Sequence, residues 1–173
     1  PVFLQLISRC SQTIDRVNDV SGRLVSWLTL AMVIVTCAVV VARYLFNAGS
    51  IALQESVMYM HGMVFMLGIA FTLKEGGHVR VDVLHERFSA RTRTIVDMLG
   101  SLFFLLPVSL FLFWSSLDYV SFAWSLKEVS AQPGGLPGVY LLKTLIPMMA
   151  LFLAAQGISE FLKGLIHLLE SAD

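Results

Sequence analysis

Long apolar runs, separated by short polar stretches, dominate this sequence. Between Leu24 and Ala42 no charged residue occurs, and about 20 consecutive apolar residues are enough to cross the hydrocarbon of a bilayer. Polar or helix-breaking residues separate this run from three later ones. The pattern predicts an all-α membrane protein with four transmembrane helices, at about residues 22–44, 53–73, 94–124 and 139–162.

The segment that precedes the first run has a helical period. Within residues 1–21, apolar side chains recur every three or four positions, as at Leu6, Cys10 and Val17, and polar side chains occupy the other face. This pattern is typical of an amphipathic helix that lies in the membrane interface, although a helix packed on a soluble partner fits it too. We therefore divide the chain into an interfacial helix, a four-helix domain and a tail, at residues 1–21, 22–165 and 166–173.

The remaining predictions of structure concern helix ends and contacts. The third apolar run is longer than a membrane requires, so its helix should tilt or project, and Pro107 is a plausible kink. Ser89 is a suitable N-cap for this helix. The stretch 132–137, rich in proline and glycine, predicts a turn. Small residues in the second and fourth spans predict close helix approach: Gly62, Gly68, Ala150, Ala154 and Gly157.

Composition and charge narrow the class of protein. Of the residues, 57% are hydrophobic and 14% charged, whereas an average globular domain has about 25% charged residues. The net charge of zero implies no bulk attraction to nucleic acid. The two cysteines, Cys10 and Cys37, have neither a disulfide pattern nor metal-ligand spacing. The N-terminal stretch lacks the features of a signal peptide, and we expect no cofactor or metal.

The positions of the basic residues predict the orientation. Most of them lie near the N-terminus, in the loop 74–93 and at Lys163, while few lie on the opposite side. Because positive residues stay cytoplasmic, both termini and that loop should be inside. The residues expected outside are Arg43, Lys127 and Lys143.

Few polar groups in the sequence suggest specific chemistry. The densest group is His78, Arg80 and Asp82. It either forms an ion-pair network that fixes the loop, or contacts lipid phosphates or a partner, or is a solvated or interfacial turn. Glu55 either remains hydrated at the interface or pairs with another subunit. His61 is expected to hydrogen-bond inside a helix bundle. Lys143 either snorkels outward or anchors the nearby turn.

No catalytic motif of a known kind appears in the sequence. We find no HExxH, GxSxG, Walker-type loop or CxxC pair. Few polar groups fall inside the spans, and none marks a continuous polar path across the bilayer. The residue pattern therefore favours a packed helical subunit over an enzyme or a pore, although an unfamiliar active site stays open.

Two stretches of the sequence carry a family resemblance. Gln54-Glu55 is followed by an apolar span and then by residues 72–84, TLKEGGHVRVDVL. These motifs, with residues 132–137 (QPGGLP), Lys143 and Gln156-Gly157, resemble the small membrane subunit of TRAP (tripartite ATP-independent periplasmic) transporters, the DctQ-like family. The later stretch, from residue 132 to residue 157, is similar to the mannitol/chloroaromatic branch of that family. The resemblance covers about residues 20–165.

The resemblance implies a role and partners. In such systems a periplasmic substrate-binding protein captures an organic acid, and a large membrane subunit carries it across the bacterial inner membrane with sodium. The small subunit packs on the large one and supports it, among membrane lipids. We expect the binding protein to dock on the outer turn, at Lys127, Glu128, Gly134, Gly135 and Pro137.

Two other functions remain as alternatives. A self-contained four-helix channel or carrier would transport solute without a second subunit. A membrane enzyme would depend on His61, His78 or Asp82 for its activity.

Overall fold

The computed structural model describes residues 2–78 and 87–170, and the regular secondary structure in these ranges is helical. Each of the four helices is long and apolar enough to cross a membrane. The predicted all-α membrane protein is therefore confirmed. The helices are α1 (Val2–Leu45), α2 (Ile51–Lys74), α3 (Ala90–Leu126) and α4 (Val139–Glu170).

The first helix has no break at residue 21, where the sequence analysis divides the interfacial segment from the first span. α1 contains 44 residues and runs continuously through both. Gly22, at this boundary, weakens a helix by only about 1 kcal/mol, which is too little to end it. A Cβ atom at this glycine would lie 2.3 Å from Cγ of Phe71, so its small size permits close approach of α1 and α2. The interfacial position of the N-terminal segment stays a prediction.

The N-terminal half of α1 buries a stripe that includes the polar residues Ser11 and Asn18, and the apolar face predicted from the sequence points outward. Leu6 is 63% exposed and Val17 is 52% exposed. In a bilayer an apolar surface can face outward without penalty, whereas polar side chains need partners inside the protein. The buried residues of this half lie on one stripe: Ser11, Asn18, Gly22 and Val25.

The central element of the fold is α4. It packs against each of the other three helices, and α1 and α2 also pack on each other. As predicted, Ala150, Ala154 and Gly157 are buried in these contacts. A Cβ atom at Gly157 would lie 2.9 Å from Cδ2 of Leu105 in α3. Gly68 does not fit the prediction, because a Cβ atom there would have no neighbour within 4 Å.

The third helix changes its hydrogen-bond pattern just before Pro107. Ser101–Leu105 forms a π-helical turn, and the N–H of Leu106 donates to the carbonyl of Ser101. A proline cannot donate, and its ring crowds the carbonyl four residues earlier. The wider turn accommodates this crowding, so the predicted irregularity takes the form of a π-helical turn. With 37 residues, α3 is about 55 Å long and exceeds the hydrocarbon thickness, as predicted.

Side-chain caps define two of the helix starts. The hydroxyl of Ser50 accepts from the N–H of Leu53 at the start of α2. Ser89 accepts from the N–H of Thr92, which confirms it as the N-cap of α3. Arg80 and Asp82, and the last three residues of the predicted tail, lie outside the described residues.

Candidate interaction site

Glu55, near the start of α2, binds the turn that joins α3 to α4. Its carboxylate accepts a hydrogen bond from the hydroxyl of Ser130 and another from the N–H of Leu136, the latter at 2.6 Å. The two donors lie on opposite sides of the turn, so one carboxylate closes it. The partners of Glu55 in the structure thus belong to its own chain. We call residues 127–138 the connecting turn.

The two predicted glycines of the connecting turn serve different geometric needs. A Cβ atom at Gly135 would lie 2.5 Å from Oγ of Ser130 and 2.7 Å from Oε2 of Glu55, so any side chain there would force these groups to shift. Gly134 has open space around it but a φ of +77°, a left-handed conformation that favours glycine. Pro137 is exposed at the surface of the turn. The predicted turn is therefore confirmed.

Lys127 ends α3 in a left-handed conformation, with a φ of 48°. Its ammonium group lies 4.5 Å from the ring centroid of Trp124 and 5.0 Å from that of Tyr140. These are cation–π distances, and the two rings also pack edge to face. The charge of Lys127 is therefore held against the helix ends, yet the residue remains exposed.

Glu128 pairs with Lys143 of α4. The lysine ammonium group also lies 4.1 Å from the ring centroid of Tyr119 in α3. Of the two alternatives for Lys143, anchoring of the turn matches these contacts, because the pair joins the turn to α4. We call Glu55, Glu128, Ser130, Leu136 and Lys143 the turn cluster.

The structure does not bring the predicted histidines into the turn cluster. His78 is exposed beyond the opposite end of α2, and that end lies about 29 Å along the helix from Glu55. His61 is exposed on α2, where its ring stacks on that of Phe65 at a centroid distance of 6.4 Å. The expectation that it hydrogen-bonds inside the bundle is wrong for the described residues, because its side chain faces away from the other helices.

A second polar cluster, which no motif in the sequence predicts, joins α1 to α4. Gln156 is fully buried. Its Nε2 donates to Asp15 at 3.0 Å and to Glu160 at 2.8 Å, and its Oε1 accepts from Nδ2 of Asn18 at 2.6 Å. All the hydrogen-bonding groups of this amide thus have partners.

Ser159 and Lys163 complete this cluster one and two turns further along α4. The Ser159 hydroxyl lies 2.7 Å from Oδ1 of Asp15 and 2.8 Å from the hydroxyl of Ser11. Lys163 pairs with the same aspartate at 2.7 Å. We call the cluster the α1–α4 network: Ser11, Asp15, Asn18, Gln156, Ser159, Glu160 and Lys163.

The network could have been found from helical spacing. Residues 11, 15 and 18 of α1, and 156, 159, 160 and 163 of α4, recur at three- or four-residue steps, so each set lies on one face. Two polar stripes on neighbouring helices predict mutual contact. An amphipathic helix is usually expected to bury its apolar face, and that expectation points to the wrong face of α1.

The turn cluster lies near the N-terminal end of α4, and the α1–α4 network lies in its C-terminal half. From Lys143 to Gln156 the helix rises about 20 Å, and the residues between them are almost all apolar. Among the described residues, no group of three or more histidine, cysteine, aspartate or glutamate side chains could hold a metal ion. The polar groups of the two clusters stabilise the packing of the helices and of the connecting turn, so their role is structural.

These features define a small multi-pass membrane protein whose polar groups mainly bind one another. Residues 32–167 match the family model described as tripartite ATP-independent periplasmic transporters, DctQ component. The chain belongs to this family, and it is a small permease subunit of a TRAP transporter.

A curated relative agrees with the family. The chain is 30% identical over 93 residues to the C4-dicarboxylate TRAP transporter small permease protein DctQ of Vibrio cholerae serotype O1 (strain ATCC 39315 / El Tor Inaba N16961). The match covers 54% of this chain and 39% of the length of the relative. No solved structure matches the chain significantly.

Proposed function

We propose that this chain supports the large membrane subunit of a sodium-coupled TRAP transporter for organic acids in the bacterial inner membrane. Both termini are cytoplasmic in this proposal, and the chain itself has neither transport nor enzymatic activity. The relative named for C4-dicarboxylates supports a carboxylate substrate. The similarity to the mannitol/chloroaromatic branch remains part of the proposal.

One observation supports this role for the chain. The two polar clusters of the described chain are separated by an apolar stretch of α4, and their groups are occupied by intramolecular contacts. A carrier for an organic acid needs polar groups near the middle of the membrane that can bind the solute. Such groups are expected in the large subunit.

Reconstitution of defined subunits tests this role. Vesicles with the large subunit, this chain and the binding protein should accumulate organic acid under a sodium gradient. Vesicles with this chain alone should not. Uptake by this chain alone would favour the self-contained carrier, and recovery of only a homo-oligomer after gentle extraction would contradict association with a large subunit.

The connecting turn is the proposed docking surface for the periplasmic binding protein. Its exposed rim includes Lys127, Val129, Gly134 and Pro137, while Glu55 holds it from below. An anchored turn presents its surface in one conformation, which lowers the entropic cost of docking. Rim charges mainly affect the rate of association.

A charge swap separates docking from folding. Glu128→Lys alone should reduce uptake, but it also breaks the pair with Lys143. The double variant Glu128→Lys with Lys143→Glu restores an ion pair of inverted order. If Glu128 helps docking, the double variant regains thermal stability and uptake stays low. Full recovery of uptake would instead assign the pair a purely structural role.

Lys127 allows a cleaner comparison, since its ammonium group has no carboxylate partner among the described residues. Lys127→Met removes the charge, and Lys127→Glu reverses it. A docking role predicts a graded loss of uptake, larger for the glutamate, that is strongest at low ionic strength. Equal uptake for wild type and both variants would remove Lys127 from the proposed surface.

A further inference from the structure

A groove of about 560 Å³ lies on the outer surface of α1 and α2. Val17, Val20 and Leu24 of α1 line it and are half to two-thirds exposed, and Leu67 contributes from α2. The volume falls within the range of about 300–1,000 Å³ that is typical of ligand pockets. The groove is therefore large enough for a ligand, and its walls are largely apolar.

The N-terminal end of the groove carries a free positive charge. Arg16 lines this end and is exposed, and among the described residues it makes no ion pair. The two neighbouring carboxylates are already occupied: Asp15 binds Lys163, and Asp19 binds Lys74 and Arg23. The guanidinium group can therefore bind an external anion, and it suits the two oxygens of a phosphate group.

The groove crosses the boundary between the charged end of α1 and its apolar run. The ion pairs of Asp15 and Asp19 lie beside Arg16 and mark the level at which charges become frequent. The charge-free run of α1 begins at Leu24. From Arg16 to Val25, the last α1 residue in the groove, the helix rises about 13 Å. The groove thus extends from the charged level to the edge of the hydrocarbon core.

We propose that this groove binds an anionic phospholipid, with its phosphate on Arg16 and the first part of one acyl chain against α1 and α2. The lipid belongs to the leaflet that contains the N-terminal end of α1. A charged end followed by apolar walls at the edge of the hydrocarbon matches an amphiphile with a single headgroup. A helix of another subunit would have to supply both an anion at Arg16 and a long apolar side-chain row. The inference is independent of the solute that the complex carries.

Native mass spectrometry of the purified complex with its large subunit tests the site. The probes are dioleoyl phosphatidylglycerol and dioleoyl phosphatidylcholine, which have identical chains and differ in net charge. Arg16→Gln should lower phosphatidylglycerol affinity about fivefold, the effect expected for one basic residue near a membrane surface, and leave phosphatidylcholine unchanged. Arg9→Gln, on the same helix but outside the groove, is the matched control.

A second pair of variants tests the apolar part of the groove. Val20→Trp should fill the groove and weaken both lipids, whereas Val33→Trp, at an exposed position of α1 outside it, should weaken neither. Equal phosphatidylglycerol affinity in Arg16→Gln and Arg9→Gln would overturn the proposal. So would a loss of the large subunit from Val20→Trp with lipid binding intact, because the groove would then be a subunit contact.

Discussion

The two polar clusters hold together different kinds of structure. The α1–α4 network joins helices whose contacting residues are about 140 positions apart in the sequence, and its amide and two of its serines are fully or almost fully buried. The turn cluster closes one connection and leaves its rim exposed. Buried groups lose more when a partner is removed, because water cannot replace it. The network should therefore govern global stability, and the turn cluster local order.

Among the substitutions in the two clusters, removal of Gln156 should lower the free energy of unfolding the most. Gln156→Leu loses three hydrogen bonds and leaves Asn18 without its partner. At about 1 kcal/mol per bond, the free energy of unfolding in detergent should fall by about 3 kcal/mol. Hydrogen exchange should rise along the N-terminal half of α1 and stay unchanged in the connecting turn.

Ile158→Ala is the control for that variant, since Ile158 is 42% exposed on the same helix. It should change stability much less than Gln156→Leu. Equal effects of the two substitutions would mean that the network contributes no more than an exposed contact.

Overcrowding of the turn cluster should lower stability less than the loss of Gln156 does. Gly135→Ala places a methyl group against Ser130 and Glu55 and should cost about 1 kcal/mol, since these side chains can partly move away. Exchange should increase in the connecting turn and not in α1. Gly49→Ala, where nothing lies within 4 Å, should leave both regions unchanged. Loss of order in α1 in Gly135→Ala would contradict the independence of the two clusters.

The sequence predicts the helices better than their contacts, and the two clusters explain why. The four spans follow from hydropathy, because hydrocarbon imposes a length on any crossing helix. Glu55 and the turn glycines stand out locally, since a charge at a span end and a proline-glycine turn are rare signals. Asn18 and Gln156 are ordinary polar residues until helix packing brings them together across 138 positions. The inverted burial of α1 likewise depends on which face meets α4, which no local pattern specifies.

Lys127 tests whether the aromatic pair at the end of α3 contributes to the turn cluster. Lys127→Met keeps the length of the side chain and removes the cation–π contacts with Trp124 and Tyr140, so stability should fall by about 0.5 kcal/mol. Differential scanning fluorimetry at low and high salt gives the comparison. A loss that disappears in high salt would indicate a long-range charge effect in place of these contacts.

Tyr59→Phe should cause no loss of stability, which gives the sharpest distinction between the clusters. The Tyr59 hydroxyl is buried near the connecting turn, close to the backbone of Gly138, but among the described residues it makes no hydrogen bond of good geometry. Gln156, in contrast, has a partner for each group. Tyr59→Phe removes an unsatisfied polar group, so the protein should be unchanged or more stable by up to about 1 kcal/mol. Tyr44→Phe, at an 80% exposed position, is the control. Destabilisation by Tyr59→Phe alone would show that the hydroxyl binds a water molecule or a partner group, and the turn cluster would then extend beneath the turn to Tyr59.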